Sequence, residues 1–186
     1  MNEIIALAMG ISLAACAGLR AFLPLFAVGV ATRFGWLPVQ PWLHWVGSNE
    51  ALITFGVATV LEVLADKAPV VDHALDVFHT VARPLAGAVV AMGSFYQVSP
   101  TYAVALGIIV GVPLAGGLHV AKAGTRVAST SLTAGLGNPV LSLLEDILAV
   151  LGVLLSLVAP ILAVLVLGAA ALLFIRWLQR RRAAGT

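Results

Sequence analysis

From Ile4 to Ala31 the chain carries a single charged residue, Arg20. A helix through that stretch would be roughly 42 Å long, more than the ~30 Å hydrocarbon core of a bilayer. Runs poor in charge recur at about 51–64, 84–98, 101–120, 140–158 and 161–177. Inside a bilayer every backbone N–H and C=O must pair within the protein, which leaves helices or a closed barrel. A barrel would alternate apolar and polar residues. The run Ile161–Phe174 is instead unbroken and rich in Ala, Leu, Val and Gly. The expected fold class is therefore an all-α integral membrane protein.

Composition agrees. Hydrophobic residues make up 61% of the chain and charged residues 10%, against roughly 25% charged in a soluble domain. Too few charges remain to wet a globular surface. The formal net charge of +2 is too small to argue for a nucleic-acid partner. The lone Cys16 excludes a disulfide framework and reads as a small packing residue. Met1–Glu3 lacks the basic start of a signal peptide, so the first run reads as a retained span.

These runs predict about six transmembrane helices in one domain spanning 1–186. Ser99-Pro100, the Gly135–Pro139 segment and Ala159-Pro160 mark turns. Trp36, Trp42 and Trp45, set among Pro38 and Pro41, read as an interfacial aromatic belt. The halves echo each other. Ala17-Gly18-Leu19-Arg20 recurs as Ala123-Gly124-Thr125-Arg126, and Thr59-Val60-Leu61-Glu62 as Ser142-Leu143-Leu144-Glu145. The expectation is two inverted three-helix repeats, about 4–98 and 101–178, each with a broken or re-entrant first helix. A basic tail, 179–186, follows. Arg176 and Arg180–Arg182 place the C-terminus in the cytoplasm by the positive-inside rule, and an even span count places the N-terminus there too. Only Arg33 faces the other way.

Ionisable groups within spans are expensive and are suspects for function. Arg20, with Gly18 and Pro24 around it, suggests a helix break that exposes backbone donors beside a fixed cation. That suits an anion or carboxylate site; the alternative is a structural ion pair with Glu62 or Glu145. His119, Lys122 and Arg126, spaced 3 and 4, share a helix face and have Thr125 beside them. Cations with a hydroxyl suit phosphate or carboxylate, or else anchor a helix in the headgroup layer. Glu62 and Asp66 share another face. Asp72, Asp76, His79 and Arg83 form a stripe that suits a proton relay or a divalent cation, or else a solvated amphipathic helix. No tight metal-ligand motif, P-loop or dinucleotide fingerprint is visible, so no cofactor is expected.

Several of these strings carry a resemblance. They are Ala17-Gly18-Leu19-Arg20-Ala21-Phe22-Leu23-Pro24, Glu62 with Asp66-Lys67-Ala68-Pro69-Val70-Val71-Asp72, and Arg83-Pro84-Leu85-Ala86-Gly87 in the first half. Lys122-Ala123-Gly124-Thr125-Arg126, Asn138-Pro139 and Ser142-Leu143-Leu144-Glu145-Asp146 follow in the second. Together they resemble a bacterial integral-membrane family known as domain of unknown function 4126, over about Ile4–Val158. The resemblance implies a small polytopic protein of the bacterial inner membrane and supplies no activity. A fainter likeness links Gly124–Thr130 to the Gly-x-Ser-Arg-Ser-Gly loop of the undecaprenyl-pyrophosphate phosphatases; Thr125 stands for the first Ser, and the later Ser-Gly is missing.

The first functional expectation is a secondary transporter or channel-like carrier of a small anionic or phosphate-bearing substrate. Arg20, Arg126, Lys122, His119 and Thr125 would bind the substrate. Glu62, Asp66, Asp72, Asp76, His79 and Glu145 would couple protons or ions. An intramembrane lipid-phosphate enzyme and a non-catalytic scaffold are the alternatives. Membrane lipids are expected partners, and the small size leaves room for a homodimer.

Overall fold

A computed structural model describes residues 2–66 and 69–183, with the side chains of 2–66, 77–173, Arg176 and Gln179. Helices make up nearly all of it. In chain order they are α1 (Glu3–Leu19), α2 (Phe22–Arg33), a 3-10 segment (Pro41–Gly47), α3 (Asn49–Ala65), α4 (Pro69–Ser94), α5 (Pro100–Leu106), a π turn (Gly107–Gly111), α6 (Val112–Thr133), α7 (Asn138–Val158) and α8 (Pro160–Ala183).

Among the described residues, two helices are long and apolar enough to cross a membrane, Pro100–Thr133 (α5 through α6) and Asn138–Val158. The bent pair Pro41–Gly47 and Asn49–Ala65 makes a third if it counts as one span. The outward face of α3 exposes Ile53, Val57, Val60, Leu61 and Leu64, a stripe that water would not tolerate and lipid does. Trp36, Trp42 and Trp45 are exposed as belt residues require.

The 4–31 run is not one helix. α1 ends at Arg20, whose backbone is extended (φ −139°, ψ 112°), and α2 starts two residues later. Pro24 explains the position. A continuous helix would need its N–H to bond the Arg20 carbonyl, but as the third residue of a new helix it needs no partner. The chain folds back at the break. Gly10 of α1 faces Ser94 at the end of α4 and Phe95 just beyond it, and Val28 of α2 lies over Gly93, one residue before Ser94. At the other end Phe22 stacks on Phe78 (6.3 Å between centroids). The two short helices thus form a helical hairpin with Arg20 at its tip.

α1 is the central helix and packs against α4, α6, α7 and α8. Its Met9, Leu13, Cys16 and Ala17 join Val28, Val90, Ala115 and Val153 in the core. Small residues set its depth. A Cβ on Gly18 would sit 2.6 Å from the Ala115 carbonyl oxygen, and one on Gly111 would sit 2.6 Å from the Ala88 Cα. These glycines let α1, α4 and α6 approach at backbone distance.

Two expectations are corrected. A third span starting at Pro84 is replaced by a single helix from Pro69 to Ser94 with Pro84 inside it; the one bond lost there is outweighed by the packing of α4 on α1. The second half has no broken first helix, because Arg126 lies within the continuous α6. The Arg126 string lacks a proline four residues on, which is what breaks the Arg20 string. Ile5 near the start of α1 lines one hollow with Val158, Pro160 and Leu165 at the α7–α8 turn. α8 runs away from that turn, so the start of α1 and the end of α8 lie at opposite ends of the bundle. The turn at Ala159-Pro160 is present as expected.

Candidate functional site

The tip of the α1–α2 hairpin is where the buried charges meet. Glu62, one turn before the end of α3, turns its carboxylate to the start of α2. Its Oε1 accepts from the Ala21 N–H (3.1 Å) and its Oε2 from the Phe22 N–H (3.3 Å). These are orphan donors at the positive end of a helix, which an anion satisfies. Arg83 of α4 adds a guanidinium contact to Oε1 at 3.4 Å, and His79 Nε2 stands 3.6 Å from the same oxygen.

Asp66, one turn further on at the C-cap of α3, is the second focus. Its Oδ2 accepts from Arg20 Nη1, from Lys122 Nζ (2.9 Å) and from Arg126 Nη2 (2.9 Å). The last two cations come from one face of α6, as their spacing foretold. They also reach Glu145 Oε2 of α7, at 3.0 Å from Lys122 and 3.1 Å from Arg126. Arg20 bridges onward through Nη2 to Asp146 and to Ser142 Oγ (3.3 Å). The network joins the α1–α2 break, α3, α4, α6 and α7. Arg20 and Arg83 are both 0% exposed, yet the Nε of each has no hydrogen-bond partner.

The structure therefore brings together Arg20, Lys122, Arg126, Glu62, Asp66, His79 and Glu145 from the expected set. His119 is near but plays a different part. Its Nδ1 lies 2.7 Å from Arg83 Nη1 and must accept, which leaves Nε2 as the N–H facing Thr80 Oγ1 at 3.5 Å. Through Nδ1 it accepts from the Arg83 guanidinium. Thr125 is outside the network; its hydroxyl donates to the Lys122 carbonyl of its own helix (2.7 Å). One residue before Arg126, it points about 100° away around α6. The side chains of Asp72 and Asp76 lie outside the described residues, as does Lys67. Among the described residues no group of three His, Cys, Asp or Glu is placed to hold a metal ion.

Arg83, Ser142 and Asp146 belong to the site without having been singled out as binding residues. Arg83 was read as the end of an amphipathic stripe. The sequence carries no signal for its place in the site, because Pro84 reads as the start of a segment whereas α4 begins at Pro69. Asp146 adjoins Glu145, and only the turn of α7 decides that the two acids reach different cations.

The family model described as Domain of unknown function (DUF4126) matches residues 7–180. The chain belongs to this family. Its matched region takes in every residue of the charged network, from Arg20 to Asp146, and all the helices that position it. No curated protein and no solved structure matches the chain. The function of this DUF4126 member must therefore be read from the site itself.

Proposed function

We propose that this protein is a membrane carrier for a small anion, with the cluster at the hairpin tip as its binding site. The observation that carries the reading is the convergence of Arg20, Lys122 and Arg126 on a single oxygen, Asp66 Oδ2. Three buried cations, one from the α1–α2 break and two from one face of α6, form an anion seat, and it adjoins the N-terminus of a re-entrant helix. Four cations (Arg20, Arg83, Lys122 and Arg126) face four carboxylates (Glu62, Asp66, Glu145 and Asp146), so the network is neutral with both histidines uncharged. A substrate anion brings surplus negative charge into a buried place, where it is strongly unfavourable. Uptake of a proton by the network as the substrate seats removes that surplus, which makes the carrier proton-coupled.

The reading places the protein in a bacterial inner membrane, with the cluster and the end of α8 toward the cytoplasm, where Arg176 and Arg180–Arg182 are best accommodated. The start of α1 then faces the other side. An origin in two inverted repeats is supported by Arg20 and Arg126, from matching Ala-Gly-x-Arg strings, meeting at one carboxylate.

The test is flux. Purified protein in sealed vesicles carrying an internal pH dye is given outward-to-inward gradients of phosphate and of small mono- and dicarboxylates. A carrier acidifies the lumen with at least one of them, and Lys122→Gln abolishes the signal. A second reading, a non-catalytic scaffold, is favoured by the mutual pairing of the same charges. Absence of flux with every anion, together with early melting of Lys122→Gln, would establish that reading in its place.

A further inference from the structure

α3 is held to the bundle in an unusual way. It packs along α2 and touches α4 only lightly. Within the helix only Ala51 and Glu62 are buried, and Asp66 at its C-cap is buried too. The end of α3 is thus inserted into the protein mainly by two carboxylates one helical turn apart. Each occupies a distinct anion position. Glu62 fills the seat made by the Ala21 and Phe22 N–H groups with Arg83, and Asp66 fills the seat made by Arg20, Lys122 and Arg126. The buried Nε–H groups of Arg20 and Arg83, one from each seat, are left without partners. Two internal carboxylates therefore satisfy these seats incompletely.

We propose that Glu62 and Asp66 stand in for the two ends of a small dicarboxylate, which is the substrate class of this site, and that the end of α3 withdraws when the substrate takes both seats. The inference rests on the carrier reading above. It follows from the pairing of seats: a single monoanion replaces one internal carboxylate and leaves the other in place, whereas a flexible dicarboxylate replaces both. The arginine Nε–H groups give the incoming carboxylates donors that the internal pair leaves unused.

The experiment is chemical rescue in detergent, read as thermal unfolding. The variants are Glu62→Ala, Asp66→Ala and the double variant, and the probes are acetate, inorganic phosphate, succinate and glutarate. Acetate should restore the single variants, since each opens one seat. Glutarate or succinate should raise the melting temperature of the double variant with an apparent affinity at least ten-fold tighter than acetate, and at least ten-fold tighter than for the parent. Equal rescue by acetate and the dicarboxylates, or no rescue, overturns the proposal. If the double variant yields no folded protein, amide exchange of the parent decides: glutarate must speed exchange at the end of α3 and acetate must not, and unchanged exchange also overturns it. Phosphate-driven flux without dicarboxylate rescue would reject the dicarboxylate and keep the carrier. Loss of both flux and rescue would reject both.

Discussion

Asp66 Oδ2 and Lys122 Nζ lie 2.9 Å apart, although 56 residues separate them in the chain. The contact closes a network in which Asp66 answers three cations and Glu145 two. Removing a single member therefore exposes several partners at once. A buried charge left without its counter-charge costs about 3–5 kcal/mol. Asp66→Ala should lower stability by that amount, since it leaves Arg20, Lys122 and Arg126 with only Asp146 and Glu145 between them, one buried positive charge in excess. Thermal or chemical unfolding in detergent gives the value, and a loss below about 1 kcal/mol would show that the three cations are not held by this carboxylate.

Lys122 and Glu145 should be coupled. Lys122→Met and Glu145→Gln each break the 3.0 Å pair, but the double variant removes both charges and leaves the network neutral. It should be more stable than the sum of the single losses by about 0.5–3 kcal/mol. A double-mutant cycle measures this term; strict additivity would mean the pair contributes nothing.

Glu62→Gln should loosen the start of α2. An amide has one acceptor oxygen where the carboxylate has two, and the Ala21 and Phe22 N–H groups use both. Hydrogen exchange at Phe22 should quicken, while Ala17 and Gly18 in the body of α1 should change little. Equal quickening along α1 and α2 would point to global loosening.

Close packing at the hairpin should be intolerant of added bulk. Gly18→Val drives a side chain into the Ala115 carbonyl and Leu118, and overpacking of this kind costs about 1–3 kcal/mol. Gly117→Ala, where a Cβ meets nothing within 4 Å, should be neutral or stabilising by up to about 1 kcal/mol. Comparing the two melting temperatures tests the backbone approach of α1 to α6.

The opposite placement of the helix ends gives a labelling pattern. Single cysteines replacing Asn2 and Gln179 should react with an impermeant thiol reagent from opposite sides of a sealed membrane, with the native Cys16 buried and silent. Labelling of both from one side would restore an even number of crossings.

The sequence by itself determined the solvent and the suspects. Charge-poor runs demand a lipid surface and helical backbone whatever the tertiary arrangement, because the requirement is local to each segment. Helix faces are local as well, so the shared face of His119, Lys122 and Arg126, and that of Glu62 and Asp66, were legible from spacing alone. The break at Arg20 was legible from Pro24. Only the tertiary structure decided which charges pair. The spacing on α3 and α6 leaves Arg20 free to meet Glu62, Asp66, Glu145 or Asp146, and the choice rests on how far α1 sinks before Gly18 meets the Ala115 backbone. The direction of α2 was equally hidden, since a proline marks where a helix stops and not where the chain goes next. It was settled by packing against α4, where Phe22 finds Phe78 and Val28 finds the space over Gly93. Long-range packing distances have no signature in a single chain's spacing, and the identity of this site depends on them.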